Sequence, residues 1–98
     1  MASLVLAVRI GDDLERIRSH LLAHEASHVE AHLDEIIDAL QLLTRHPFIG
    51  RKVGQGWREL VIGRGSRGYV ALYAYDRLDD VVAVAALRAQ REKGFGEG

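Results

Sequence analysis

The chain has 98 residues, 48% of them hydrophobic and 28% charged, and a net charge of −1; these are the proportions of one globular domain, residues 1–98, with a modest core. It has no cysteine, which excludes a disulfide scaffold, a thiolate zinc site and a thiol nucleophile. No apolar run approaches the roughly 18 residues of a membrane span, and the start lacks the basic region and length of a signal peptide, so a cytoplasmic protein is expected.

The charge is uneven. Residues 1–45 hold eight acids and four bases, whereas residues 46–98 hold six acids and nine bases. A near-neutral total argues against tight non-specific nucleic-acid binding, which needs several phosphate contacts. It leaves room for a basic face in the second half.

Leu4 to Ile10 is a short apolar, β-branched run closed by Gly11, and reads as a strand. Asp12 with Glu15 three residues on fits a capping box. Leu14, Ile17, Leu21 and Leu22 then recur at helical spacing, predicting a helix from Asp13 to about His24. Ser27 and Glu30 give a second start signal, and Val29, Leu33, Ile36, Leu40 and Leu43 carry a second helix to about Thr44. That helix should stop before His46-Pro47, because the residue before a proline is pushed out of helical geometry. A short link makes the pair an antiparallel helical hairpin.

The period then changes to that of strands. Trp57–Ile62 and Tyr69–Tyr75 read as two strands around the turn Gly63–Gly68. Val81–Leu87 is a third, and its unbroken apolar run suggests a central place with both faces covered. The charged, glycine-rich end should be loose. The order is therefore β-α-α-β-β-β: an α+β domain with a helical hairpin packed on a mostly antiparallel sheet.

Two motifs have competing readings. His24-Glu25-Ala26-Ser27-His28 matches H-E-x-x-H, which on one helix would bind zinc beside a general base. Ser27, however, is the best cap of the second helix, so the motif straddles a turn; solvated histidines and no metal are expected. Gly63, Gly65 and Gly68 match G-x-G-x-x-G, but a strand follows where a dinucleotide fold needs a helix. A hairpin turn is expected, with Arg64 and Arg67 facing solvent or an acidic partner. Tyr69, Tyr73 and Tyr75 fall on one face, for packing against the helices rather than stacking on bases. Arg58, Arg64, Arg67, Arg88, Arg91 and Lys93 could gather into one positive surface or stand apart.

Four pieces, one of them a pair of strands, carry a resemblance in this order. Asp13-Leu14-Glu15-Arg16-Ile17 opens the first helix, and His46-Pro47-Phe48-Ile49-Gly50-Arg51 is similar to a P-x-I-G-R segment. Arg58–Ile62 and Gly68–Tyr73 look like paired central strands, and Leu87–Phe95 resembles a closing I-R-H-Q-R-E-A-G-Y. Together they resemble the ParE/RelE superfamily, toxins of type II toxin-antitoxin (plasmid stabilisation) modules.

The resemblance implies a toxin without cofactor, held by a cognate antitoxin in a hetero-oligomer. RelE-like members cut mRNA on the ribosome; ParE-like members inhibit DNA gyrase. Where a RelE-like enzyme carries an arginine after the glycine-aromatic pair, this chain has Val70, and the lysines of the preceding strand fall near Val61 and Gly63. Phe95 stands at best for a tail tyrosine, and only Arg91 matches a transition-state arginine. The departures favour gyrase over the ribosome and mRNA. Ala89, where the family motif often has histidine, raises the further reading of a degenerate toxin.

The expected target contacts are Arg58, Arg88, Gln90, Arg91 and Phe95. Arg58 could instead pair with an acid across the sheet, and Phe95 could cap the core. The antitoxin's amphipathic helix should meet an exposed side of the hairpin that includes Leu14, Ile17, Leu21, Leu33, Ile36 and Leu40, and an extended segment could add to a sheet edge.

Overall fold

The apolar periods of the chain resolve into two helices covering one face of a sheet. The computed structural model describes residues 1–24, 28–63 and 68–90. Its elements are β1 (Ser3–Leu6), α1 (Arg9–His24), α2 (Val29–Leu42), β2 (Arg51–Gly54), β3 (Trp57–Ile62), β4 (Tyr69–Asp76) and β5 (Val81–Ala89). The strands form one mixed sheet in the order β1-β5-β4-β3-β2. β1 runs parallel to β5, and the other neighbouring pairs are antiparallel. No helix among the described residues is long and apolar enough to cross a membrane.

The core lies between the helices and this sheet. Ile17 and Leu21 of α1 and Val29, Ile36 and Leu40 of α2 pack with Tyr69, Ala71 and Tyr73 of β4 and Val82, Val84 and Leu87 of β5. Along β4 the alternation is regular, with Tyr75 joining the same cluster at its edge. The three tyrosines therefore pack, as expected. β5 changes phase: Leu72 faces Ala86 while Tyr73 faces Val84, so Ala85 is bulged out. The core side reads 82, 84, then 87 and 89. This change of phase, a known effect of a β-bulge, explains why the run looks unbroken in sequence. β5 is central, but Ala83 is exposed, so its second face is only partly covered.

The structure corrects several expectations. β1 ends at Leu6 rather than Ile10, and α1 begins at Arg9 rather than Asp13. Asp12 is thus inside the first turn and does not cap the helix. The early start buries Ile10 and carries Asp13 onto the face that meets β5. α2 starts after His28, which has φ of 67° and no side-chain cap; Ser27 lies outside the described residues. Its end before Pro47 is as expected. β2 has no counterpart among the expected strands. It is four exposed residues with no apolar pattern, and its pairing to β3 is what makes it a strand.

The antitoxin surface also needs correction. Ile17, Leu21, Ile36 and Leu40 are buried in the core, because the helical apolar stripe must cover the sheet. Leu14 and Leu33 are partly buried at its edge.

Candidate functional site

Past Ala7, whose N–H donates to Val84 O, β1 no longer covers the edge of β5. Leu87 turns its N–H and C=O to that open edge, and α1 meets both. The Leu87 N–H donates to Asp13 Oδ2 (3.0 Å), and Arg16 Nη2 donates to Leu87 O (2.9 Å). Asp13, 1% exposed, also accepts from Arg9 and from Arg16 Nη1. Burial pushes its carboxyl up, but the hydrogen bonds from Arg9, the Leu87 amide and Arg16, with the charge of Arg9, hold it below the usual range. Side chains of α1 thereby replace a neighbouring strand.

A second arrangement holds the loop before β2. Arg58 and Tyr73 are directly opposed on β3 and β4. Tyr73 Oη donates to Pro47 O and accepts from the Gly50 N–H, both at 2.8 Å. Arg58 Nη1 donates to Phe48 O (3.1 Å) and Gly50 O (2.8 Å), with its guanidinium 5.1 Å from the Phe48 ring centre. Burial raises the Tyr73 hydroxyl pKa, partly offset by the Gly50 amide and the Arg58 charge. A side chain at Gly50 would lie 2.7 Å from Tyr73 Cε1 and Oη and 2.8 Å from Glu59 O. The loop is pinned, yet Phe48 and Ile49 are 54% and 52% exposed.

Among the described residues, Arg58 and Arg88 do not converge. Arg58 shares the core side with Tyr73 and Val84, whereas Arg88 stands opposite Val70, itself opposite Val61, on the other side. Directly paired residues project to the same side, so Arg58 and Arg88 belong to opposite faces. Arg58 meets backbone carbonyls rather than an acid across the sheet. Arg88 donates to Ala89 O and Gln90 O, and the Gln90 N–H closes on Gly68 O. Arg64, Arg67, Arg91, Lys93 and Phe95 lie outside the described residues.

The histidine motif is broken by the backbone. α1 ends at His24 and α2 begins at Val29, with His28 in left-handed geometry, so the run is not one helix; Glu25 lies outside the described residues. β3 and β4 pair with Ile62 opposite Tyr69, so the glycine-rich segment joins antiparallel strands, as expected of a hairpin.

Two of the surface depressions among the described residues lie on the helices and beside β2. Gly11, Leu14, Glu15, Arg18, Leu33 and Ile37 line a groove of ≈ 270 Å³ between the helices. Phe48, Lys52, Trp57, Arg58 and Tyr75, with the Gly54–Gly56 turn, line a cleft of ≈ 310 Å³. Sequence reasoning missed Asp13, Lys52, Phe48 and Trp57. The signal available for the last two was two large aromatics flanking a glycine-rich segment, residues 49–56, without helical or strand period.

Comparison with known proteins agrees with this geometry. The family described as the ParE toxin of the type II toxin-antitoxin system parDE matches residues 4–94. Toxin RelE3 of Caulobacter vibrioides is 32% identical over 93 residues, covering 95% of this chain and 99% of the relative. A chain of a chromosomal ParDE toxin-antitoxin system from P. aeruginosa superposes with a TM-score of 0.75 at 17% identity, covering 91% of this chain and 96% of the other. A chain of the RelBE2 toxin-antitoxin complex of Mycobacterium tuberculosis gives 0.55 at 18%, covering 91% and 98%. At such identities these two structures speak to the fold. With the family matched over nearly its whole length, the chain belongs to the ParE toxins of type II toxin-antitoxin systems.

Proposed function

We propose that this toxin inhibits DNA gyrase in the cytoplasm, without chemistry of its own, and that a cognate antitoxin encoded beside it keeps it inactive. The cross-strand row Val61, Val70, Arg88, on the side of the sheet away from the helices, supports this reading. Val70 stands where the resemblance would put an arginine of a ribonuclease and Val61 near where it would put a lysine, and neither carries a charge. Cutting RNA without a metal calls for a base, an acid and positive charge on the phosphate. Glu59, on the same face, is engaged by Arg51 at 2.8 Å. The groove at Leu14, Leu33 and Ile37 suits an amphipathic helix of the antitoxin.

One observation favours a second reading, ribosome-dependent mRNA cleavage with Arg91 at the phosphate. The 32% identical relative carries the name Toxin RelE3. A degenerate toxin is a third reading, since Ala89 packs opposite Tyr69 where the family motif often has histidine.

Pulse-labelling of DNA and protein synthesis, minutes after inducing the toxin alone, tests the proposal. DNA synthesis should fall first, with a DNA-damage response. An earlier fall in protein synthesis would overturn it in favour of mRNA cleavage; no fall in either would leave a degenerate toxin.

A further inference from the structure

The two edges of the sheet are built differently. β2 carries Arg51 and Lys52, and its register shifts between Lys52 and Gly54. Charge and a bulge are how natural sheets keep an edge strand from pairing with another chain. β1 has neither. Residues 1–8 hold no charged side chain and no proline, and the ladder to β5 runs without a shift. Its outer side also has hydrogen-bonding groups to offer. The Ser3 and Ala7 amides donate to Asp80 O and Val84 O, each at 2.9 Å. Successive strand residues turn these groups to opposite edges, so Leu4 and Leu6 point theirs away from β5. Ala2, of the same set, gives its N–H to Thr44 O at 2.9 Å. Among the described residues no backbone bond outside the ladders reaches Leu4 or Leu6.

The segment is its own complement. Turned about a two-fold axis through Val5, Leu4-Val5-Leu6 reads the same, with Leu4 facing Leu6 of a second copy and Ala2 facing its Val8. In that antiparallel register Leu4 and Leu6 of one copy exchange main-chain hydrogen bonds with Leu6 and Leu4 of the other. The two Val5 residues then form the closer, non-hydrogen-bonded pair at the axis. Val5 is 52% exposed, Leu6 43% and Val8 97%, all on or just past this edge. Val5 projects away from the helices, at the end of a cross-strand row with Ala83, Ala74 and Trp57. The axis joins two such apolar rows into one.

We propose that the free toxin pairs with a second copy of itself along β1, antiparallel and two-fold, centred on Val5. Two five-stranded sheets become one of ten strands that ends on the charged β2 edges. An isologous contact needs a self-complementary patch, and a palindromic, uncharged strand supplies one. β2 is barred from the same use, since it would bring Arg51 and Lys52 of two copies together, and like charges across a strand pair destabilise it. The contact is short, so the dimer is weak and depends on concentration. The inference goes beyond the proposed function and does not rest on gyrase as the target.

Sedimentation velocity of the purified toxin without antitoxin, over a concentration series, tests this. Wild type should pass from monomer to dimer. Val5→Lys and Val5→Glu each place a like pair at the axis, and each should weaken the dimer by about tenfold or more. An equimolar mixture of the two variants should dimerise again, because the axis then holds opposite charges. The chain has no cysteine, so a single introduced thiol gives a second measurement that tolerates a poorly folding charge variant. Val5→Cys should cross-link to itself under diamide, since the axial pair has the spacing of a disulfide. Val61→Cys, 53% exposed on the same side of the sheet, should not. A toxin monomeric at every concentration overturns the proposal, as does a dimer indifferent to charge at Val5 or equal cross-linking of the two cysteine variants. A monomeric toxin whose affinity for purified antitoxin falls in Val5→Lys also overturns it, and gives the edge to the antitoxin.

Discussion

Arg58 and Tyr73 stand opposite each other on neighbouring strands and between them bind Pro47 O, Phe48 O and both backbone polar groups of Gly50. Two side chains from the sheet thus organise a loop that has no regular structure of its own. Removing the hydroxyl leaves a carbonyl and an amide without it, so Tyr73→Phe should lower stability by about 2 kcal/mol. Denaturant unfolding measures this, and a loss near zero would mean that water replaces the hydroxyl.

Gly50→Ala tests the same arrangement from the other side. The added carbon meets Tyr73 and the Glu59 carbonyl at 2.7–2.8 Å, and neither can withdraw without disturbing the loop's hydrogen bonds or the strand pairing. A loss of about 2 kcal/mol is expected, within the range of overpacked sites. An unaltered unfolding midpoint would show that the loop has slack.

Asp13 should govern stability in acid. Its carboxyl is held below the ordinary value of 3.8 in the folded chain, so on acidification the unfolded chain takes up a proton first. Its contribution is therefore complete above that value and is lost as the pH falls through the lower folded one. Asp13→Ala should cost about 3 kcal/mol at neutral pH, since it leaves the Leu87 amide without its acceptor and takes from Arg9 and Arg16 the carboxylate they share. It should also flatten the acid limb of a stability-pH profile; an unchanged limb would place the acid sensitivity elsewhere.

Gly11 lies inside α1, and nothing comes within 4 Å of a carbon added there. Gly11→Ala should stabilise the toxin by about 0.5–1 kcal/mol, by restricting the unfolded chain. Thermal melts of the two proteins would show a decrease instead if the backbone there resists a side chain.

Core and groove should separate under mutation. Ile36 is fully buried, so Ile36→Glu should abolish cooperative unfolding. Leu14→Glu, at the rim of the groove, should leave the toxin folded but weaken antitoxin binding. Circular dichroism with a binding titration distinguishes the two. A folded Ile36→Glu protein would contradict the burial of that side chain.

Read alone, the chain determined its two helices, its three longer strands and the tyrosine face of β4, because each carries an apolar period strong enough to declare itself locally. It also carried the family, through short segments spread over nearly its whole length. Tertiary structure decided the rest. β2 is exposed along its length and has no pattern to read. The start of α1 depends on contacts between Asp13, Arg16 and Leu87, 71–74 residues apart in sequence. Strand pairing put Arg58 and Arg88 on opposite faces, and the bulge at Ala85 shifted the phase that separates those faces. An arginine in a sequence has a charge but no direction; here pairing partners from distant segments supply it.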